Sequence, residues 1–115
     1  MEWSAELTLE FLELYEREAC IWNPRDPLHK NRIAVSDAWK RIEYSLSVEV
    51  SVPELKKKKE SLMATFRPIM QKVIASQKSG GGPDDVYKSN WFAFDAMFKF
   101  LQGIYQPKSG LNAEG

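Results

Sequence analysis

One stretch of the chain combines a helix start, a lysine run and an apolar stripe, and it is therefore the most informative about the fold: SVPELKKKKESLMATFR, residues 51–67. Ser51 is suited to cap a helix, Pro53 is tolerated in the first turn, and Glu54 completes a capping box. The apolar residues of this stretch and its continuation recur at helical spacing, and they are Leu55, Leu62, Phe66, Ile69 and Val73. The pattern predicts a helix that begins at Ser51.

The lysine run lies around this helix on more than one side. At 100° per residue, Lys56 and Lys57 fall opposite the apolar stripe, whereas Lys58 and Lys59 flank it. Residues 56–78 carry seven basic side chains and one acidic one, a net charge of +6, although the whole chain is neutral. The lysine run therefore either binds an acidic polymer or forms a solvated helix face.

Pro68 interrupts the same pattern. A proline in a helix interior removes one backbone hydrogen bond, here to the carbonyl of Ala64, and costs about 3 kcal/mol. The sequence predicts that the helix is kinked or broken near Arg67.

Three further helices are predicted, which makes the fold all-α. One follows Ser4 as its cap and ends before Trp22, one covers residues 32–47, and a fourth lies within SNWFAFDAMFKFLQGIY, residues 89–105. The glycine-rich segment 79–85 is the expected hinge. We expect one domain over residues 4–105, followed by a flexible tail or linker at 106–115.

Composition narrows the function. One cysteine and one histidine rule out an internal disulfide and the common zinc ligand sets. The acidic first ten residues lack the basic start of a secretory signal, and no apolar run is long enough for a membrane span. No nucleophile with its base, phosphate loop or metal cluster is present. We therefore expect a soluble intracellular protein that is not an enzyme, with no catalytic residues, no metal, no cofactor and no small-molecule substrate.

Four blocks of the chain together resemble the MADF domain, a Myb/SANT-like domain found mainly in insect transcriptional regulators. They are FLELYEREACIWNPRDPLHKNR, DAWKRIEYSL, SVPELKKKKESLMATFR and VYKSNWFAFDAMFKFL, which all lie within residues 7–102. The resemblance implies a three-helix bundle with a helix-turn-helix arrangement plus a C-terminal fourth helix. It also implies binding of double-stranded DNA in the nucleus, with the helix from Ser51 as the recognition element.

Carried over position by position, the resemblance assigns a core and a basic helix start. The core positions are Phe11, Leu14, Trp22, Trp39, Ile42, Leu55, Leu62, Phe66, Trp91, Phe94 and Leu101. The basic start is Lys56, Lys57 and Lys58. The chain departs from the family pattern at Lys59, where a tryptophan is common, at Met63, where an arginine is common, and at Pro68.

Two functions follow as hypotheses. In the first, the domain binds DNA as part of a transcriptional or chromatin regulator. The residues expected to contact DNA are Lys56, Lys57, Lys58, Lys59, Ser61, Ala64, Thr65, Arg67, Lys40 and Arg41. In the second, it is a protein-interaction or dimerisation module of a regulatory complex or a transposon-derived accessory protein. A homodimer would use the apolar surface expected at Phe92, Met97, Phe100 and Tyr105.

Overall fold

The computed structural model describes residues 2–78 and 87–105, with the side chains of Lys78 and Tyr105 left aside. These residues form five helices and no strand, which confirms the all-α class for this part of the chain. The helices are α1 (Ala5–Glu16), α2 (Ala19–Trp22), α3 (Arg32–Ser45), α4 (Val52–Lys78) and α5 (Phe94–Tyr105). The chain divides into two compact units, Met1–Met63 and Ala64–Gly115, and α4 supplies residues to both.

In the first unit, α1 begins where its cap predicts and ends at Glu16. The Ser4 hydroxyl accepts a hydrogen bond from the Leu7 amide at 3.0 Å, which confirms Ser4 as the N-cap. The sequence predicts an end before Trp22, and α1 does end before it, at Glu16, but a separate turn of helix, α2, then follows and includes Trp22. The Trp22 indole N–H donates to the carbonyls of Tyr15 and Glu16 at 3.1 and 3.2 Å. It thereby satisfies carbonyls that the end of α1 leaves without a helical partner.

Helix α3 stops before its predicted end at residue 47. Leu46 has ψ 143°, outside the helical region. The Ser47 amide and hydroxyl both donate to the Glu10 carboxylate, at 2.7 and 2.6 Å. This contact from α1 competes with continued helix and holds the chain in its new direction.

Helices α1, α2 and α3 pack on one another around an aromatic cluster. The ring of Phe11 lies 5.7 Å from that of Tyr15 and 6.5 Å from that of Trp39, and Tyr15 and Trp39 are 6.0 Å apart. These centroid separations lie in the range where offset and tilted aromatic pairs add attraction beyond the burial of area. All three side chains are buried.

Helix α4 starts immediately after Ser51, as the sequence predicts, with Glu54 in its first turn. The predicted break near Arg67 is wrong, because α4 continues through Pro68 to Lys78, while a kink there stays a prediction. Phe66 and Met70, on either side of the proline, are buried to 0% and 1% exposure. Burial on both sides offsets the one hydrogen bond that proline removes.

In the second unit, the predicted fourth helix, α5, lies within residues 89–105 as expected and begins at Phe94. Trp91 precedes α5 and its amide donates to the Ser89 hydroxyl at 3.1 Å, while the Phe94 amide donates to the Trp91 carbonyl at 3.0 Å. These turn contacts, which periodicity does not encode, place the helix start at Phe94. Phe66 then stacks on Phe94 at 5.5 Å, and Phe94 on Phe98 at 5.4 Å.

The apolar surface predicted for self-association is only partly present. Met97 is buried with 1% exposure, contrary to expectation, because it faces the interior of its unit with Ala93 and Leu101. Phe92 is 48% exposed and Phe100 is half-buried. The side chain of Tyr105, the hinge predicted at 79–85 and the tail predicted at 106–115 lie outside the described residues.

Most of the core positions implied by the resemblance are buried. Eight of them have at most 7% exposure: Phe11, Trp39, Ile42, Leu55, Leu62, Phe66, Phe94 and Leu101. Leu14, Trp22 and Trp91 are half-buried. For Trp22 the partial exposure fits its role at the end of α1, where only the indole N–H must reach the carbonyls.

Candidate nucleic-acid interface

The four lysines at the start of α4 differ in exposure. Lys56 and Lys57 are exposed, and Lys58 and Lys59 are half-buried, which agrees with their predicted positions opposite and beside the apolar stripe. Neither Lys56 nor Lys57 forms a salt bridge within the described part of the chain. Their charges are available to a ligand.

Two of these lysines lie close to aromatic rings. The Lys56 Nζ is 6.0 Å from the centroid of Trp39, and the Lys58 Nζ is 5.3 Å from that of Trp3. Attraction between a cation and an aromatic face restricts the lysine rotamers. Burial lowers the pKa of Lys58 below its ordinary value, because desolvation disfavours the ammonium form.

Lys59 is paired within the chain. Its Nζ lies 2.5 Å from the carboxylate of Glu60, and its side chain is only 25% exposed. The adjacent carboxylate offsets its charge, so Lys59 contributes less positive potential than the first two lysines of the run.

On α3, the two predicted contact residues behave differently. Lys40 is exposed and makes no salt bridge among the described residues. Arg41 donates from Nε to one oxygen of Glu18 at 3.0 Å and from Nη2 to the other at 2.6 Å. This hydrogen bonding raises the pKa of Arg41 above its ordinary value. The Nε and Nη2 donors of Arg41 are therefore already used in hydrogen bonds within the protein.

The structure does not gather the predicted residues into one site. Lys57, Lys58 and Ser61 border an open groove with Trp3 and Glu54. Lys40 and Arg41 border a different groove, which also contains Glu18. Three further predicted residues, Ala64, Thr65 and Arg67, are exposed on the part of α4 that belongs to the second unit.

Two basic residues outside the predicted set lie next to the lysine run. Lys30 and Arg32 line a cleft together with Lys56 and Trp39. The sequence carries a signal for them, since residues 23–42 have a net charge of +3. Periodicity could not reveal that Lys30 and Arg32 lie beside Lys56, because each of them is more than twenty residues from Lys56 in the chain.

An all-helical unit that contains the exposed basic start of a helix is typical of small helical nucleic-acid-binding modules. Residues 11–101 match the family model described as "Alcohol dehydrogenase transcription factor Myb/SANT-like". The chain belongs to this family of MADF DNA-binding domains, as its resemblance predicts. The family is one of DNA-binding domains and not of enzymes. No curated protein and no solved structure shows significant similarity to the chain.

Within the described residues, no helix combines the length and the apolar character that crossing a bilayer requires.

Proposed function

We propose that this chain is the nuclear DNA-binding domain of a transcriptional or chromatin regulator, and that the basic start of α4 holds duplex DNA by its phosphates. The proposed domain comprises residues 4–105, and residues 106–115 are its tail or linker. Family membership supports DNA as the partner. The observation that carries the proposal is that Lys56 and Lys57 are exposed and unpaired among the described residues, whereas Lys59 is neutralised by Glu60.

The chemistry of this contact is electrostatic. A lysine ammonium that neutralises a phosphate releases a condensed counterion, so affinity falls steeply with salt. Each phosphate neutralised contributes about −0.9 to the slope of log affinity against log salt concentration. Lys56 and Lys57 together therefore account for about −1.8 of that slope.

Sequence discrimination by α4 is expected to be modest. Among the predicted contact residues of α4 beyond the lysines, Ser61, Ala64 and Thr65 are short, and only Arg67 could make a bidentate base contact. Serine and threonine hydroxyls accept or donate to several bases, and an alanine methyl contacts thymine, whereas strong discrimination comes from bidentate arginine, asparagine or glutamine. Phosphate contacts thus dominate the affinity, and base contacts refine it.

The test is fluorescence anisotropy on mixed-sequence duplex DNA from about 50 to 200 mM salt. The wild type is compared with Lys56→Gln combined with Lys57→Gln. The control combines Arg25→Gln with Lys88→Gln, which removes the same charge from two exposed residues outside the lysine run. We expect the first variant to flatten the slope by about 1.8 and the control to change it much less. A wild-type slope of zero, or equal slopes for the two variants, would contradict the proposal.

A second function, self-association, is favoured by one feature of α3. Ile33 and Tyr44 are 75% and 91% exposed, and their separation of eleven residues places them on one helical face. We propose that a second copy of the chain covers them. Light scattering tests this, since Tyr44→Ser should shift a dimer toward monomer, and a wild-type mass that stays monomeric at all concentrations would rule the dimer out.

A further inference from the structure

A cleft in the first unit places two basic residues that the proposed function has not used beside Lys56, which it does use. It is lined by Lys30 and Arg32, which flank the start of α3, by Lys56 of α4, and by His29 and Trp39. We infer that this basic cleft seats one phosphate of the DNA backbone, an inference that rests on the proposed DNA-binding function. It adds a specific contact from the segment before α3 to those of the α4 lysines.

The charge of the basic cleft sets it apart from the other grooves. No carboxylate lies among the residues that line it, whereas Glu54 borders the groove at Lys57 and Glu18 borders the groove at Lys40. In the described part of the chain, neither Lys30 nor Arg32 takes part in a salt bridge. With Lys56, three cations therefore converge on one concave surface without an internal counter-ion.

The chemistry of the lining suits a phosphodiester. An arginine guanidinium matches two phosphate oxygens with parallel N–H donors, and lysine ammonium groups add compact positive charge. The Trp39 ring, 4% exposed, lies 6.0 Å from the Lys56 Nζ and helps to fix that side chain in the cleft. A fixed lysine loses less side-chain entropy on binding than a freely rotating one.

The positions of Lys30 and Arg32 do not stabilise α3. Asn31 caps α3, accepting a hydrogen bond from the Ala34 amide at 3.0 Å, so Lys30 and Arg32 sit on either side of the cap. The positive end of a helix dipole disfavours cations there and favours acidic residues, yet the first turn of α3 contains none. Residues that oppose local stability are expected where a site serves binding.

His29 supplies a reporter inside the cleft. Its Nδ1 lies 2.9 Å from the carbonyl oxygen of Cys20, and because a carbonyl only accepts, Nδ1 carries the proton. His29 is the single histidine of the chain. Its imidazole C–H resonances therefore stand alone in a proton NMR spectrum and need no assignment by mutation.

The first experiment is the anisotropy titration with Lys30→Gln combined with Arg32→Gln, against the control Arg25→Gln with Lys88→Gln. Loss of one phosphate contact makes the salt slope about 0.9 less steep, which weakens binding about eight-fold at about 100 mM salt. The melting temperature should stay unchanged or rise, because two cations leave the positive end of α3. A lower melting temperature with unchanged affinity would assign these residues a structural role and overturn the inference.

The second experiment follows the His29 resonances as duplex DNA is added to the wild type at constant pH. A shift that saturates with the anisotropy curve is expected. One outcome would refute the inference alone: the wild type binds DNA and the Lys56 and Lys57 variant binds it more weakly, but the His29 resonances do not shift and the Lys30 and Arg32 variant binds like the control. In that case the cleft does not bind a phosphate, and the proposed function stands. If the wild type binds no DNA, the proposed function fails and the inference fails with it.

Discussion

The pair formed by Arg41 and Glu18 allows a prediction that separates stability from DNA binding. Arg41→Met keeps much of the aliphatic stem and removes every donor, while Glu18→Gln keeps the shape and removes the charge. Arg41→Met removes both hydrogen bonds, of 3.0 and 2.6 Å, whereas Glu18→Gln removes the charge and one of the two acceptor oxygens. Together they complete a double-mutant cycle across 23 residues of sequence.

The magnitude follows from the exposure of the two groups. Hydrogen bonds to charged groups contribute about 1.5–3 kcal/mol net, and exposed ion pairs about 0.2–1 kcal/mol. The Glu18 side chain is 16% exposed, but that of Arg41 is 59% exposed, so solvent screens the pair. We expect a coupling of about 1 kcal/mol, and a melting temperature about 4 °C lower for Arg41→Met.

Urea denaturation of the four proteins at low and high salt measures this coupling. The bidentate geometry predicts a coupling that shrinks as salt increases but does not vanish, because the carboxylate is mostly shielded from solvent. A coupling below about 0.3 kcal/mol at low salt would refute the reasoning, since that is the size of an ordinary surface pair.

The same variants test the role of Arg41 in DNA binding. Because its guanidinium already serves Glu18, Arg41→Met should leave the salt slope of DNA binding nearly unchanged. The exposed neighbour Lys40, changed to Gln, is the matched comparison on the same helix. A larger effect from Arg41 than from Lys40 would mean that the internal pair opens when DNA binds.

Three further predictions concern single positions. Pro68→Ala should stabilise the fold by about 1–3 kcal/mol, because it restores the hydrogen bond to the carbonyl four residues earlier; a lower melting temperature would show that packing of the proline ring outweighs that bond. Ser4→Ala should lower the free energy of unfolding, measured by urea denaturation, by about 1 kcal/mol. Ser4→Asp should lower it by almost nothing, because aspartate keeps a capping oxygen that alanine lacks, and equal losses would mean that the cap is not what stabilises α1. Burial raises the pKa of the Cys20 thiol above its ordinary 9.0, so its contribution to stability is present below pH 9.0 and is lost as pH rises through the raised pKa. Cys20→Ala should therefore show a flatter decline in the free energy of unfolding above pH 9.0, and parallel curves for the two proteins would contradict this.

The starts of α1 and α4 were predictable from the sequence, whereas the ends of α1 and α3 were not. Ser4 and Ser51 mark starts because the capping signal is local and lies within one turn of the residues that it serves. The ends of α1 and α3 depend on the Trp22 indole and on the Glu10 carboxylate, which reach them from other segments. No periodicity of apolar residues contains that information.

The candidate site shows the same division. The run of basic residues was visible in the sequence, and its helical angle correctly separated the exposed Lys56 and Lys57 from the half-buried Lys58 and Lys59. The pairing of Arg41 was not predictable, and neither was the approach of Lys30 and Arg32 to Lys56, since each joins distant segments.

The sequence by itself determined the helical class, the starts of α1 and α4, the segregation of charge and the resemblance to the family. These rest on contacts within a few residues and on periodicity, which any reader of the chain can count. Which charged side chains are exposed and unpaired, and so able to bind a ligand, could be read only from the tertiary structure. Availability depends on exposure and on partners that lie far away in sequence, as Glu18 lies from Arg41, and folding alone brings such partners within hydrogen-bonding distance.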